Sequence, residues 1–93
     1  MKIAVFKETR EGEKRVALTP QVVKQLVGKG YEIFIESGAG EQSAFQDSDY
    51  KNSGATIISS AEELCKVATV FLKINAFNDR EISLLPENSI CFS

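Results

Sequence analysis

The apolar positions of this chain fall into five short runs separated by amphipathic or charged stretches. Residues 2–6, 31–36, 55–58, 69–74 and 89–92 each carry consecutive or alternating apolar side chains over four to six positions, the length and pattern of strands. Between the first two, Val22, Val23, Leu26 and Val27 form a stripe of helical spacing, with Gln21, Lys24, Gln25 and Lys29 on the opposite side. Thr19 is placed to cap that helix and Pro20 to occupy its first turn, where a missing N–H costs nothing. Leu18 and Val23 are spaced as a hydrophobic staple, and Gly28 or Gly30 ends the helix. Asp47 predicts the cap of a short helix running through Lys51 and stopped by Gly54. Ser60-Ala61-Glu62-Glu63 reads as a capping box ahead of an inward-facing Leu64 and Cys65. Asn78-Asp79-Arg80-Glu81 reads as another, ahead of Ile82, Leu84 and Leu85, with Pro86 as the breaker.

Strands that alternate with helices predict a parallel sheet with helices on its faces. The expected fold class is α/β: a three-layer flavodoxin-like or Rossmann-like sheet. Because the chain closes on its fifth strand with no helix to follow it, residues 1–93 read as the first part of a larger domain.

Composition narrows the chemistry. The net charge is −2 with acids and bases interleaved, so no basic face offers itself to nucleic acid. No apolar run is long enough to span a bilayer, and the opening run stops at Phe6 before a charged block, unlike a signal peptide. Histidine is absent, which excludes Ser-His and Cys-His nucleophile pairs and argues against a metal site. Cys65 and Cys91 lack metal or redox spacing; both lie in apolar segments and read as small core hydrophobes.

Two cations stand out. Arg15 ends a charged loop (Lys7 to Arg15) and abuts Val16-Ala17-Leu18, so it leaves the loop where the chain turns inward. Lys73 ends an otherwise apolar strand. Both are expected at the carboxyl edge of the sheet, where open α/β sheets collect ligands, and two cations without an adjacent carboxylate suit an anionic or carbonyl ligand. Neutralisation of Arg15 by Glu8, Glu11 or Glu13, and a plain surface position for Lys73, are the structural alternatives. The Gly38-Ala39-Gly40 run is a weak dinucleotide fingerprint: no apolar helix opens on it, and no acid follows at the end of the next strand. It reads as a tight turn.

The run Lys7-Glu8-Thr9, Gly12-Glu13-Lys14-Arg15-Val16-Ala17-Leu18-Thr19-Pro20 resembles the N-terminal signature of the alanine dehydrogenase and pyridine-nucleotide transhydrogenase family. The likeness continues through Glu36-Ser37-Gly38-Ala39-Gly40, Asp47, Tyr50, Gly54-Ala55, Leu72-Lys73-Ile74-Asn75-Ala76 and Glu81-Ile82. Within that family, Gln42-Ser43-Ala44-Phe45 and Lys73-Ile74-Asn75-Ala76 look like the alpha subunit of bacterial proton-translocating NAD(P) transhydrogenase. Phe77, where proline is usual, and Asn88, where glycine is common, depart from it.

The resemblance implies the N-terminal part of a two-lobed protein whose NAD-binding Rossmann lobe lies downstream. It implies hydride transfer from NADH to NADP coupled to proton translocation. NAD(H) would then be bound mainly by downstream residues and NADP(H) by a partner subunit. The full alpha subunit would be a homodimer docked on the membrane and NADP-binding subunit, at the cytoplasmic side of the bacterial inner membrane. In the alanine dehydrogenase branch, a cytoplasmic enzyme that reductively aminates pyruvate, Arg15 and Lys73 would hold the substrate carboxylate and keto oxygen. A stand-alone, non-catalytic module is the remaining alternative, and the isolated chain is expected to be inactive.

Overall fold

The computed structural model of the chain describes residues 1–9, 11–87 and 89–92. Five parallel strands, β1 (Lys2–Val5), β2 (Glu32–Glu36), β3 (Thr56–Ile58), β4 (Val70–Leu72) and β5 (Ile90–Phe92), form one sheet in the order β3-β2-β1-β4-β5. Helices α1 (Pro20–Gly28), α2 (Asp47–Asn52), α3 (Ala61–Val67) and α4 (Asp79–Leu84) connect them. The strand order is the Rossmann one rather than the flavodoxin one.

Pleating sorts the side chains into two cores. Ile3, Val5, Ile33, Ile35 and Val70 pack with Val23 of α1 and Tyr50 of α2. Ala4, Phe6 and Phe71 point the other way, onto Leu64 and Cys65 of α3, with Leu84 of α4 against them. The chain winds from β1 outward to β3 on one side, then crosses to β4 on the other side of β1.

The local signals act largely as the sequence predicts. Thr19 caps α1 through the Val22 N–H, and the staple residues Leu18 and Val23 are both buried in the first core. After α1, Gly30 takes a φ of +96°; its N–H bonds the Val27 carbonyl while the Tyr31 N–H bonds that of Leu26, a Schellman ending. Asn78 and Glu81 form the full capping box of α4. Only half of the box predicted for α3 forms: Ser60 accepts from the Glu63 N–H, but the Glu63 carboxylate turns to the Ser59 hydroxyl.

Three expectations are corrected. The cap of α2 is Gln46, not Asp47, because the Asp47 carboxylate is drawn back to the Ser37 hydroxyl (2.6 Å) and the Gly38 N–H (2.9 Å). Cys65 is buried, its thiol pushed up to about 11 by desolvation, whereas Cys91 is exposed. That difference follows from position: β5 is the edge strand, pairs only with β4, and exposes all three of its residues. Ile82, grouped with the apolar positions of α4, faces solvent, while Leu84 and Leu85 pack on the core. Asn88 and Arg10 lie outside the described residues.

Candidate functional site

The winding reverses direction between β1 and β4, so the loops leaving their carboxyl ends diverge and leave a crevice, the usual ligand position in open α/β sheets. Two segments meet there: the charged loop after β1 and the turn after β4. Past Leu72 the Lys73 N–H still bonds the Phe92 carbonyl (3.0 Å), but the N–H groups after it leave the ladder. Ile74 N–H donates to Glu8 Oε2 (2.8 Å), and Asn75 N–H and Nδ2 donate to Glu8 Oε1 (3.0 and 3.1 Å). Glu8 is buried by this contact, and it stitches together positions 66 and 67 residues apart.

Asn75 extends the connection outward. Its Nδ2 also donates to Glu13 Oε1 (3.0 Å), and Glu13 takes the Arg15 side chain through Nε and Nη2 (both 2.9 Å) and the Arg15 backbone N–H (2.9 Å). The Arg15 guanidinium beside Glu13 is the main reason that carboxyl is held down at about 2. Glu13 in turn raises Arg15, so both stay charged. The Glu13 side chain is 8% exposed and that of Arg15 71%: the carboxylate is covered by its own partners at the rim, not by the core. Glu11, Gly12, Glu13, Arg15 and Asn75 line a shallow cleft of about 290 Å³.

Lys73 is not in that cleft. It keeps the pleat of Phe71, two residues earlier, and so points to the α3/α4 side, where its Nζ reaches Glu81 Oε1 at 2.6 Å. The side chains of this pair are 3% and 7% exposed. Glu81 Oε1 also accepts the Asn78 N–H (2.8 Å), so one oxygen serves both the lysine and the cap of α4. Beside the pair, a pocket of about 60 Å³ is lined by Thr9, Glu36, Ala61, Asn78, Arg80, Glu81 and Leu84. Desolvation raises Glu36 above the usual carboxylate range, against the lowering effect of the Lys7 N–H it accepts (2.8 Å).

The structure therefore separates the two cations singled out from sequence and gives each a carboxylate, Glu13 for Arg15 and Glu81 for Lys73. The residue from the β4 turn that does reach Arg15's cleft is Asn75. The parity of Lys73 with Phe71, and a glutamate in the predicted capping box, were the signals for its inward turn. Nothing local announced Glu8 or the bridging role of Asn75.

The Gly38-Ala39-Gly40 turn has no open N–H cradle facing a phosphate. The Gly38 N–H is taken by Asp47, and a Cβ on Gly40 would come within 2.7 Å of the Tyr50 ring and 2.8 Å of Phe45 Cβ. The turn is packed inward: the Tyr50 hydroxyl donates to the Leu18 carbonyl (2.8 Å) and the Ser43 hydroxyl to that of Lys14. The described residues of this turn are spent on partners within the chain rather than turned toward a dinucleotide pyrophosphate. Among the described residues no cluster of His, Cys, Asp and Glu is arranged to hold a metal ion.

Comparison with known proteins sets this geometry in a family. The pattern of the alanine dehydrogenase/PNT N-terminal domain matches residues 4–93. An NAD(P) transhydrogenase subunit alpha of Rhodospirillum rubrum is 47% identical over 74 residues, which cover 80% of this chain and 19% of that protein. The alanine dehydrogenase of Halomonas elongata is 36% identical over 93 residues, covering 100% of this chain and 25% of that protein. Among solved structures, an L-alanine dehydrogenase superposes with a TM-score of 0.92 at 33% identity, over 98% of this chain and 25% of its own. A transhydrogenase from Sinorhizobium meliloti gives 0.90 at 28% identity, over 98% and 27%. The chain thus spans a fifth to a quarter of the length of these relatives.

Proposed function

The chain belongs to the alanine dehydrogenase/PNT N-terminal domain family, and from that premise we propose that it is the opening segment of the NAD(H)-binding alpha subunit of an NAD(P) transhydrogenase. The protein that carries it passes hydride from NADH to NADP, coupled to proton movement through a membrane partner. The observation that carries this reading over the dehydrogenase one is the state of the cleft. Its one lining cation among the described residues, Arg15, is already paired side-on with Glu13, its other lining side chain from the β4 turn is the neutral Asn75, and Lys73 is turned away to Glu81. A free carboxylate substrate needs unspent positive charge, and this cleft offers little. The higher identity to the R. rubrum transhydrogenase subunit supports the same choice.

In this reading Arg15 and Asn75 shape the wall of the crevice in which the cofactors meet, and Lys73 fixes α4 beneath it. NAD(H) is held mainly by residues downstream, a division supported by the way the Gly38 turn spends its Gly38 N–H on Asp47, and NADP(H) by a partner subunit. The full subunit pairs with a second copy and docks on the membrane-embedded subunit at the cytoplasmic face of a bacterial inner membrane. No helix of the described residues is long and apolar enough to cross a membrane itself. Alanine dehydrogenase is the second reading, favoured by a match that runs the full length of the chain.

A rate assay separates the two. The protein carrying this chain, with its partner subunit, should reduce an NADP analogue with NADH and show no NADH oxidation dependent on pyruvate and ammonium. Pyruvate-dependent oxidation abolished by Arg15→Ala would refute the transhydrogenase reading and install the other. Calorimetric titration of the 93-residue chain with NADH should show no binding; micromolar affinity would return the Gly38 turn to the cofactor site.

A further inference from the structure

Backbone N–H groups at the carboxyl edge of the sheet receive carboxylates from the chain itself. Lys7 N–H donates to Glu36, Gly38 N–H to Asp47, and Ile74 and Asn75 N–H both donate to Glu8. Consecutive N–H groups of this kind form the concavities in which proteins bind anions, and this edge is where doubly wound sheets place them. Glu8 differs from the other two residents. It alone takes two successive N–H groups together with a side-chain amide, and it lies at the switch point. The amide it holds also grips Glu13, which grips Arg15.

We propose that the Ile74–Asn75 turn is a carboxylate-binding nest whose resident ligand is Glu8, and that Glu8 thereby acts as a positioning residue. Through Asn75 and Glu13 it sets the direction in which Arg15 faces the cleft. Glu13 occupies the Nε and Nη2 side of the guanidinium, so the Nη1 end, which has no protein partner among the described residues, is the end presented outward. Asn75 keeps Glu13 in place by donating to the same Oε1 that Arg15 uses. Glu8 also acts on Arg15 directly through its charge. Without Glu8 the two N–H groups and the amide lose their common acceptor, and the Asn75 amide is no longer oriented toward Glu13.

The test is to empty the nest and refill it from solution, using formate as a carboxylate small enough to enter. Carbon-13 NMR of the Glu13 carboxyl at neutral pH, where formate is ionised, reads the far end of the chain of contacts; its chemical shift should move in Glu8→Ala as the Asn75 amide loses its hold on Oε1. Formate should bring it back in the variant and leave the wild type unchanged. A Glu13 signal that ignores Glu8→Ala, or a change that formate does not reverse, overturns the proposal. Should Glu8→Ala fail to fold, Asn75→Ala leaves the nest filled, with Glu8 on the two backbone N–H groups, and cuts the amide link to Glu13. It should move the Glu13 signal without any response to formate, and an unmoved Glu13 signal there is equally fatal.

A second arm reads activity in the protein that carries this chain, and rests on the transhydrogenase reading. Formate should restore hydride transfer to Glu8→Ala but not to Glu8→Ala/Arg15→Ala, and the two losses should be less than additive; additive losses refute the positioning role. Wild-type protein without any hydride transfer would refute the functional reading alone, because the NMR arm decides the nest independently.

Discussion

Lys73 with Glu81 and Arg15 with Glu13 are two cation–carboxylate pairs at the same edge of one sheet, and they are built for opposite purposes. The first is nearly sealed, with α4 closed over it and one Glu81 oxygen shared with the helix cap. The second stands at the rim, its guanidinium mostly in water. Burial decides what each is worth. In the sealed pair, losing one partner strands a charge where solvent cannot reach it. At the rim, solvent and salt replace a lost partner at small cost, so what the pair retains is geometry: a guanidinium held by one side. Charge and strand position alone therefore do not mark a ligand site; the pleat decides which cation faces the cleft.

Breaking the sealed pair should have the largest effect. Glu81→Ala leaves Lys73 uncompensated and removes the acceptor of the Asn78 N–H, half of the α4 capping box, and is expected to cost about 3–5 kcal/mol by urea denaturation. A loss below about 1 kcal/mol would show that Nζ escapes to water. Removing both charges together, as Lys73→Met/Glu81→Leu, should recover most of that loss, leaving about 0.5–1.5 kcal/mol for the cap bond to Asn78. If the double variant is as unstable as the single one, the stranded-charge explanation is wrong.

Glu36 gives a smaller effect with a defined sign. Its folded value is raised, chiefly by desolvation, so the native state binds a proton more readily than the unfolded chain. Stability therefore falls as pH rises from the ordinary carboxylate value through the raised one. Glu36→Gln keeps an acceptor for the Lys7 N–H while removing the charge. It should equal or exceed the wild type in thermal stability at neutral pH and flatten that slope; a steeper slope would contradict the assignment.

The smallest stability effect is expected at the rim. Arg15→Ala should lower the denaturation midpoint only slightly near neutral pH, as fits a pair at the solvent-exposed rim, while the Glu13 titration rises from about 2. Glu13 is depressed in the folded state, so its contribution is present above the ordinary carboxylate value and fades as pH drops toward 2. An Arg15→Ala variant destabilised at neutral pH as much as Glu81→Ala would make the rim pair structural and erase the contrast with Lys73.

The elements themselves were legible in the sequence because their signals are local. Thr19-Pro20, the Asn78–Glu81 box and the glycine at position 30 act within one helical turn, and all three behave as their residue types require. Legibility failed wherever a side chain had a distant alternative. Asp47 left its expected cap for Ser37 and Gly38 on the preceding turn. Cys91 resembles Cys65 in its neighbours, but its exposure depends on where β5 falls in the sheet. Glu8 and Asn75 meet only because β1 and β4 are adjacent, a fact held by topology and not by any spacing in the chain. Lys73 lay between these cases, since its pleat could be read from Phe71 but its partner could not be assigned.

The central place of β1 has a consequence for how the protein is made. Ile3 pairs with Ile33 on one side and with Val70, 67 positions later, on the other. β1 therefore waits, one edge unpaired, until β4 has left the ribosome. Glu8 waits with it, its two backbone donors still unsynthesised. Closing so long a loop slows folding and leaves an apolar edge open to wrong partners in the meantime. The charged loop that follows Phe6 at once, from Lys7 to Arg15, keeps solubilising charge beside that waiting strand throughout synthesis, before any of its residues has a cleft to line.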